Sequence, residues 1–413
     1  MDVELISIGD ELLTGHTVNS NAAFIAEKLT EIGLDVKYIS TTGDSLELME
    51  EAFHLALKRA RLIITTGGLG PTDDDITKKA IVKVFKRNLI FHDNILEDLK
   101  KRYAARGIVM PAINQNQALL PQGATFFPNK TGSAVGICIS ENGRIFIALP
   151  GVPREMIQIM VDEVLPYVQG LKTGQPMKII KLRTTGVVEA KLAEMIVSDL
   201  ALEPGVRLAY LPAYSGVDLR ILASAESQAE ADDRALRLER YLESKVGKYI
   251  YGKNSDTLEA VVGQLLKDND KTLAVAESCT GGQLGMQITS IPGSSAFFLG
   301  GITSYSNESK IRDLGVDPQI IEQHGAVSQE CAIAMAKGCR ERFESEYALS
   351  ITGIAGPDGG TEEKPVGTTF IGLASTHDCY AHKFVLGITR ESTRARATYA
   401  ALELLRRDIL DIK

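Results

Sequence analysis

Short apolar runs separated by helix-length amphipathic stretches recur toward both ends of this 413-residue chain, and that alternation constrains its fold more than any other feature. Val3-Glu4-Leu5-Ile6-Ser7-Ile8 precedes a helix-like stretch from Ser20 with Ile25, Leu29 and Ile32 on one face. A second strand at 36–40 is followed by Leu46, Met49, Phe53 and Leu57 at helical spacing and then by Leu62-Ile63-Ile64-Thr65. Strands and helices alternating at these lengths imply parallel βαβ units, to whose sheet the run 145–149 should also belong. After Tyr251-Gly252-Lys253-Asn254-Ser255 the alternation resumes, with a helix to Leu266, strands near 272–276, 297–302, 347–352 and 368–374, and helices at 328–343 and 391–410.

Between these halves, Gly170-Leu171-Lys172-Thr173-Gly174-Gln175-Pro176 reads as a boundary. The segment beyond it predicts a smaller unit, with strands near 179–184 and 217–223, a helix from Glu189 and a charge-rich helix over 228–245. The expected class is therefore α/β in three domains, because a chain this long exceeds one hydrophobic core. They are a doubly wound sheet over 1–170, a small α+β unit over 171–252 and a second α/β domain over 253–413.

A net charge of −8 and a pI near 5.5 oppose attraction to nucleic acid and favour small-molecule partners. Five scattered cysteines without a C-x-x-C pair, and six histidines without metal spacing, exclude a disulfide framework and a zinc site. The start Met-Asp-Val-Glu-Leu has no basic leader, and no run reaches the roughly 18 apolar residues of a spanning helix. A cytoplasmic, membrane-free protein is expected.

The strand at 272–276 runs into Glu277-Ser278-Cys279-Thr280-Gly281-Gly282, with a helix from about Gln283. A serine on such a turn points outward, and the free N–H groups of the next helix's first turn can stabilise an oxyanion. Ser278 and Thr280 could equally be plain helix caps. Cys279 competes as nucleophile, since a thiolate is the stronger one, although its position turns away. A serine needs a base, and His324, His377 and His382 have no acid placed to orient them. Lys310 is the other solution, provided that burial keeps it neutral; otherwise it is a surface lysine opening a helix.

Three acid- and glycine-rich loops lie at strand ends in the front half. They are Gly9-Asp10-Glu11, Gly67-Gly68-Leu69-Gly70-Pro71-Thr72-Asp73-Asp74-Asp75 and Pro150-Gly151. Ligands of doubly wound sheets bind at the carboxyl ends of strands, so the loops could converge on one site. Glycine turns cradle phosphate, but the acids would repel it. A divalent cation such as Mg²⁺ held by Asp10, Glu11, Asp73, Asp74 and Asp75 resolves the conflict, whereas helix capping by Asp73 to Asp75 is the plainer account. Any pyrophosphate hydrolysis must come from these loops, because the chain has no Nudix box.

Several motifs in order resemble the CinA C-terminal family: Ala276-Glu277-Ser278-Cys279-Thr280-Gly281-Gly282, Pro292-Gly293-Ser294-Ser295, Tyr305-Ser306-Asn307-Glu308, His324-Gly325-Ala326-Val327-Ser328 and Gly353-Ile354-Ala355-Gly356-Pro357-Asp358-Gly359-Gly360. Members with known activity are nicotinamide mononucleotide deamidases. The resemblance implies Ser278 as nucleophile, Lys310 as base and Tyr305 in the proton relay, with no metal in this domain. Gly293 and Ser295 would hold the oxyanion or amide, Thr352 and Ile354 the nucleotide, and Arg390 its phosphate, with Arg394 and Arg396 as alternative arginines.

The front loops resemble the molybdopterin-binding fold of the MoaB and MogA type, in the form that opens full-length CinA proteins. Asn114-Gln115-Asn116-Gln117-Ala118 and Pro128-Asn129-Lys130-Thr131-Gly132 extend the match. That family implies an ADP-ribose pyrophosphatase using Mg²⁺, Mn²⁺ or Co²⁺, with Gly67, Gly68, Gly70, Thr72 and Gly151 at the site. The middle segment resembles the family's KH-like insert, but Val187-Val188-Glu189-Ala190 follows Thr185-Gly186 where Gly-Glu-Ser would be expected. The implied whole is a homodimeric, two-activity enzyme of pyridine nucleotide salvage. The competing reading is a competence-linked binding protein with a molybdopterin-type ligand site and vestigial catalysis.

Overall fold

The structure, a computed structural model, describes residues 1–72, 75–171, 174–197 and 200–412. Two units are distinguished: Met1–Lys178 with Ser224–Asp232, and Ile179–Ala223 with Asp233–Lys413.

In the first unit eight strands form: β1 Asp2–Ile8, β2 Asp35–Thr42, β3 Leu62–Thr66, β4 Leu89–Phe91, β5 Leu119–Pro121, β6 Thr125–Phe127, β7 Gly136–Glu141 and β8 Arg144–Leu149. The main sheet runs β2-β1-β3-β8-β7-β6. Its first four strands are parallel, as the alternation predicts, whereas β7 and β6 pair antiparallel through the hairpin before β8. Helices cover both faces. Ala22, Ile25 and Leu29 of α1 (Ser20–Glu31) pack against one side of the sheet. Met49, Phe53 and Ala56 of α2 (Leu46–Arg59), Ala80 and Ile81 of α3 (Thr77–Val84), and Ile95 and Leu99 of α4 (Asp93–Ala105) pack against the other. Burial on both faces is why β3 reads as an unbroken apolar run instead of an alternation.

The middle strands β9 Met177–Thr184, β10 Val206–Ala213, β11 Gly216–Ser224 and β12 Ile250–Lys253 form a sheet in the order β10-β11-β9-β12. Sequence reading anticipates β9 and β11 but neither β10, which carries Pro212 near its end, nor the four-residue β12. In the second unit Leu192 and Ile196 of α5 (Glu189–Val197), with Ala235, Leu238 and Leu242 of α6 (Gln228–Val246), close this sheet's core.

The C-terminal sheet takes β13 Leu273–Glu277, β14 Phe298–Thr303, β15 Tyr347–Gly353, β16 Thr368–Ala374 and β17 Cys379–Val385 in the order β14-β13-β15-β16-β17. The first three are parallel and the last two antiparallel. Around it lie α7 Leu258–Asp268, α8 Gln283–Thr289, α9 Asn307–Leu314, α10 Gln329–Phe343 and α11 Arg390–Ile409. Side-chain caps fix several starts: Thr257 on α7, Ser306 on α9, Ser328 on α10, and Thr389 reciprocating with Ser392 on α11. Near the end of α11 the buried pair Glu403–Arg406 (2.7 Å) reaches the middle sheet's region through Arg406 Nη2 on Lys248 O, 2.8 Å away. No helix among the described residues is long and apolar enough to cross a membrane.

The two helices α9 and α10 approach closely at Gly338, where an added Cβ would fall on the carbonyl oxygen of Leu314. Backbone cannot yield as a flexible side chain can. Gly338→Ala is expected to destabilise the C-terminal unit by about 1–3 kcal/mol through overpacking, seen as an earlier thermal transition by calorimetry.

Candidate active site

The parallel register of β13 against β14 and β15 sets the site. Glu277 pairs with Thr303 and Ile351, so the loops leaving all three strands emerge side by side. Ser278 donates its amide to Ile351 O (2.9 Å), and Ser304 donates its amide to Glu277 O (2.8 Å). Ser278 is 9% and Lys310 1% exposed. From the second turn of α9, Lys310 reaches back so that Nζ lies 3.0 Å from Ser278 Oγ, 2.8 Å from Ser304 O and 3.3 Å from Tyr305 O.

No carboxylate faces this ammonium among the described residues, and burial lowers the Lys310 pKa below its ordinary value of 10.5. A neutral amine has two N–H donors for the two carbonyls and one lone pair for the serine hydroxyl. Cys279 is buried, and burial pushes its thiol up to about 11, so it stays protonated beside the serine. The Lys310 amine is hydrogen-bonded to Ser278 Oγ and not to the Cys279 thiol.

The turn differs from expectation in its N–H groups. Gly282, Leu284 and Gly285, in the first turn of α8, donate to the carboxylate of Glu277 at 2.8–3.1 Å. Gly281 and Gln283 donate to Ser278 O and Thr280 O. In this turn the amides of Cys279 and Thr280 are left without an oxygen acceptor, so the free N–H groups lie on the turn itself and not on the helix. A backbone N–H directly after the nucleophile is a recurring oxyanion donor. Arg394 holds this turn through two bonds to Thr280 O (2.7 and 3.2 Å). The hydroxyls of Thr280 and Ser304 are buried without a partner.

Tyr305 is 60% exposed and touches Lys310 through its carbonyl, while its hydroxyl accepts from Arg390 Nη2 at 3.0 Å. Arg390 also donates to Gly356 O (3.2 Å), and Arg396 reaches only Leu386 O, at 3.4 Å. Of the three candidate arginines, Arg390 is the one joined to Tyr305. Thr352 and Ile354 leave β15 beside Ser278, but Thr352 Oγ1 is committed to Ala326 O (2.7 Å) and the Ile354 amide to Thr368 O (2.8 Å). Gly293 and Ser295 stand apart. They precede β14, and Phe297 O accepts from Leu273 N where β13 begins, a strand length from Ser278, so within one chain they do not join its turn. Sequence reading gave no role to Glu277 or Ser304, and it offered Arg394 only as an alternative phosphate arginine, whereas here that side chain holds the turn. An acid closing a strand before a glycine-started helix was the available signal for Glu277.

In the first unit the three loops do meet at the carboxyl ends of β1, β3 and β8. Gly67 donates to Leu149 O (3.1 Å), an added Cβ on Gly151 would touch Gly67 Cα, and Asn21 Nδ2 donates to Gly151 O (2.7 Å). Gly67 and Gly68 have φ of 111° and 62°, and Thr77 Oγ1 donates to Gly67 O (2.9 Å). Lys78, also missed from sequence, bonds Asn116 O and Gln117 Oε1 at 3.0 and 3.1 Å, and burial brings its pKa down to about 8.

The described acids Asp10, Glu11 and Asp75 do not gather at one point. Asp10 Oδ1 accepts from Asp44 N, and Asp10 N donates to Asp44 Oδ2, both at 3.1 Å. Glu11 folds over Gly9. Asp75 crowds Gly70 and accepts from Thr72 N (2.9 Å) and its hydroxyl, a self-cap. Asp73 and Asp74 lie outside the described residues. Among the described residues no three His, Cys, Asp or Glu side chains could hold a metal ion.

These folds define a three-domain α/β protein whose last domain carries a buried serine–lysine pair of the kind that hydrolases use. Residues 4–170 match the probable molybdopterin binding domain, 181–252 the damage-inducible protein CinA KH domain and 255–409 the CinA C-terminal domain. A CinA-like protein of Gemmatimonas aurantiaca is 42% identical over 411 residues, covering 98% of this chain and 96% of its own. A putative competence-damage inducible protein of Alkaliphilus oremlandii is 39% identical, covering 100% of this chain and 99% of its own. The crystal structure of competence/damage inducible protein CihA from Agrobacterium tumefaciens is 34% identical, covering 36% of this chain and 92% of its own, with a TM-score of 0.36. The chain belongs to the CinA family.

Because the folded-state pKa of Lys310 lies below the unfolded value, the unfolded chain binds the extra proton in the window between them. Stability relative to Lys310→Met should therefore rise with pH across that window, by up to about 1.4 kcal/mol per pH unit, and level off above roughly 10.5. Urea unfolding of both proteins at several pH values reads this difference.

Proposed function

We propose that the C-terminal domain hydrolyses the carboxamide of nicotinamide mononucleotide, with Ser278 as nucleophile and Lys310 as base. The observation that carries this reading is a buried amine without a carboxylate partner, 3.0 Å from a serine hydroxyl. Lys310 Nζ takes the proton as Ser278 Oγ bonds to the amide carbon, and the oxyanion is met by the amides of Cys279 and Thr280. The lysine then protonates the departing nitrogen, ammonia leaves, and an acyl-serine remains. Water, deprotonated by the same amine, releases nicotinate mononucleotide and restores the hydroxyl.

Arg390, beside Tyr305 at the start of α11, suits the phosphate. A vestigial site in a pure binding protein would have no reason to bury an uncompensated lysine against a serine. The reading fails if purified protein releases no ammonia from nicotinamide mononucleotide. Ser278→Ala should lose at least about 10³-fold in kcat/KM, with Cys279→Ala within about threefold of wild type. The rate should rise with pH to a plateau through a pKa below 10.5, the ordinary value for lysine. Arg390→Ala should raise KM for the mononucleotide while leaving the riboside unaffected.

For the front half we propose a nucleotide-phosphate site of the ADP-ribose type over the crevice between β1 and β3, where the strand order reverses. A divalent cation there would rest on Asp73 and Asp74, since the described acids are engaged elsewhere, and it would supply charge neutralisation and an activated water. An added methyl at Gly68, where φ is 62°, would strike the Thr77 hydroxyl. Gly68→Ala should therefore abolish AMP formation from ADP-ribose with Mg²⁺, Mn²⁺ or Co²⁺, leaving ammonia release unchanged.

A further inference from the structure

Within the second unit a cavity of about 950 Å³ opens between β17, the second half of α11 and two loops of the middle sheet. None of Ser278, Tyr305, Lys310 and Arg390 lines it. It falls in the size range of small-molecule sites, and its position between domain-sized layers is a common one for them.

One wall is aromatic. Tyr380, His382 and Phe384 occupy successive same-face positions of β17, with centroid separations of 5.4 and 6.4 Å, and Tyr399 adds a ring from α11. Four rings around one cavity favour a flat conjugated occupant, because such rings stack or meet edge-on with it.

Its charges are polarised along α11. At the β17 carboxyl end Arg396 has only the 3.4 Å bond to Leu386 O and no carboxylate partner among the described residues. Arg407 shares Glu403 with the buried Arg406, each at 2.7 Å, and is followed in the chain by Asp408. Asp408, which accepts from the Tyr380 hydroxyl (2.9 Å), and Asp411 stand at the far end. Arg396 and Asp408 are twelve residues apart on one helix, about 18 Å. An anionic group is met best at the Arg396 end, because Arg407 is already bonded to Glu403 and stands with Asp408 and Asp411 at the other.

The middle-sheet loop Thr185-Gly186-Val187-Val188 forms the opposite wall, and Gly186 (φ 71°) sits against Glu403 and Arg407. We propose that this cavity is a second ligand site, separate from the amidase centre, which takes a planar aromatic compound carrying one anionic group beside Arg396.

The full chain is titrated with 1-anilinonaphthalene-8-sulfonate, an aromatic sulfonate, following its fluorescence. Saturable binding at one site per chain is expected. Ala400→Trp, which fills the cavity from α11, should abolish it, and Arg396→Gln, at an exposed position that leaves folding intact, should weaken it about tenfold. Thioflavin T, a cationic aromatic of similar size, should not displace the sulfonate, nor should sulfate alone. Unchanged binding in Arg396→Gln, or equal competition by thioflavin T, overturns the assignment. So does a change in molar mass by light scattering in Ala400→Trp, which would make the cavity a contact between subunits.

Discussion

The C-terminal domain depends on one contact, the buried amine of Lys310 against the hydroxyl of Ser278. The contact is a product of sheet register before it is one of side chains. Parallel pairing of β13 with β14 places Glu277 opposite Thr303, and the next residues on each strand are Ser278 and Ser304. The carbonyls of Ser304 and Tyr305 then catch the amine that α9 delivers from one turn further on. Packing of α9 on α10 at Gly338 fixes the depth of that delivery. A shift of one residue in the β13–β14 register would turn both loops over and separate the pair.

A lysine in this position is useful only if nothing nearby keeps it charged. Glu277 is the obvious threat, because it precedes Ser278 and is itself 2% exposed. Its carboxylate instead accepts three amides of the α8 turn, which satisfies the anion locally and uses the positive end of that helix. The same arrangement engages those amides and leaves the amides of Cys279 and Thr280 as the free donors of the turn. Arg394, on Thr280 O, steadies the turn from the other side. Thus an acid, an arginine and a glycine pair hold one serine, and none of the three needs to touch the substrate.

Much of this was legible in sequence. The strand-to-turn-to-helix passage at Ser278, the lysine after the next strand and the three-domain division follow from periodicity and residue type. Burial of Lys310 was not legible, because a lysine opening a helix looks the same whether the neighbouring helix covers it or not. The commitments of polar groups were hidden too: Thr352 looks free in the sequence, yet its hydroxyl is held by Ala326. Strand β17 escaped notice since Cys-Tyr-Ala-His-Lys-Phe-Val mixes charge with apolar residues, as an edge strand can when one face meets a cavity. Gly293 and Ser295 lay in a recognisable motif, but a motif's order along the chain does not say which end of a strand it occupies.

The two glycine-rich sites share one sequence signal and resolve it alike. Each joins a buried parallel strand to a helix through glycines with acids alongside, and such acids can bind a cation or cap their own backbone. In the C-terminal turn Glu277 caps. In the front loop Asp75 caps Thr72, and Asp10 exchanges amides with the Asp44 loop. Capping wins where a fixed amide lies within reach, whereas a cation needs carboxylates left free to point at it, with phosphate or water completing its shell. Counting acids in such a loop therefore overstates its metal-binding capacity, because a carboxylate that caps an amide is already engaged.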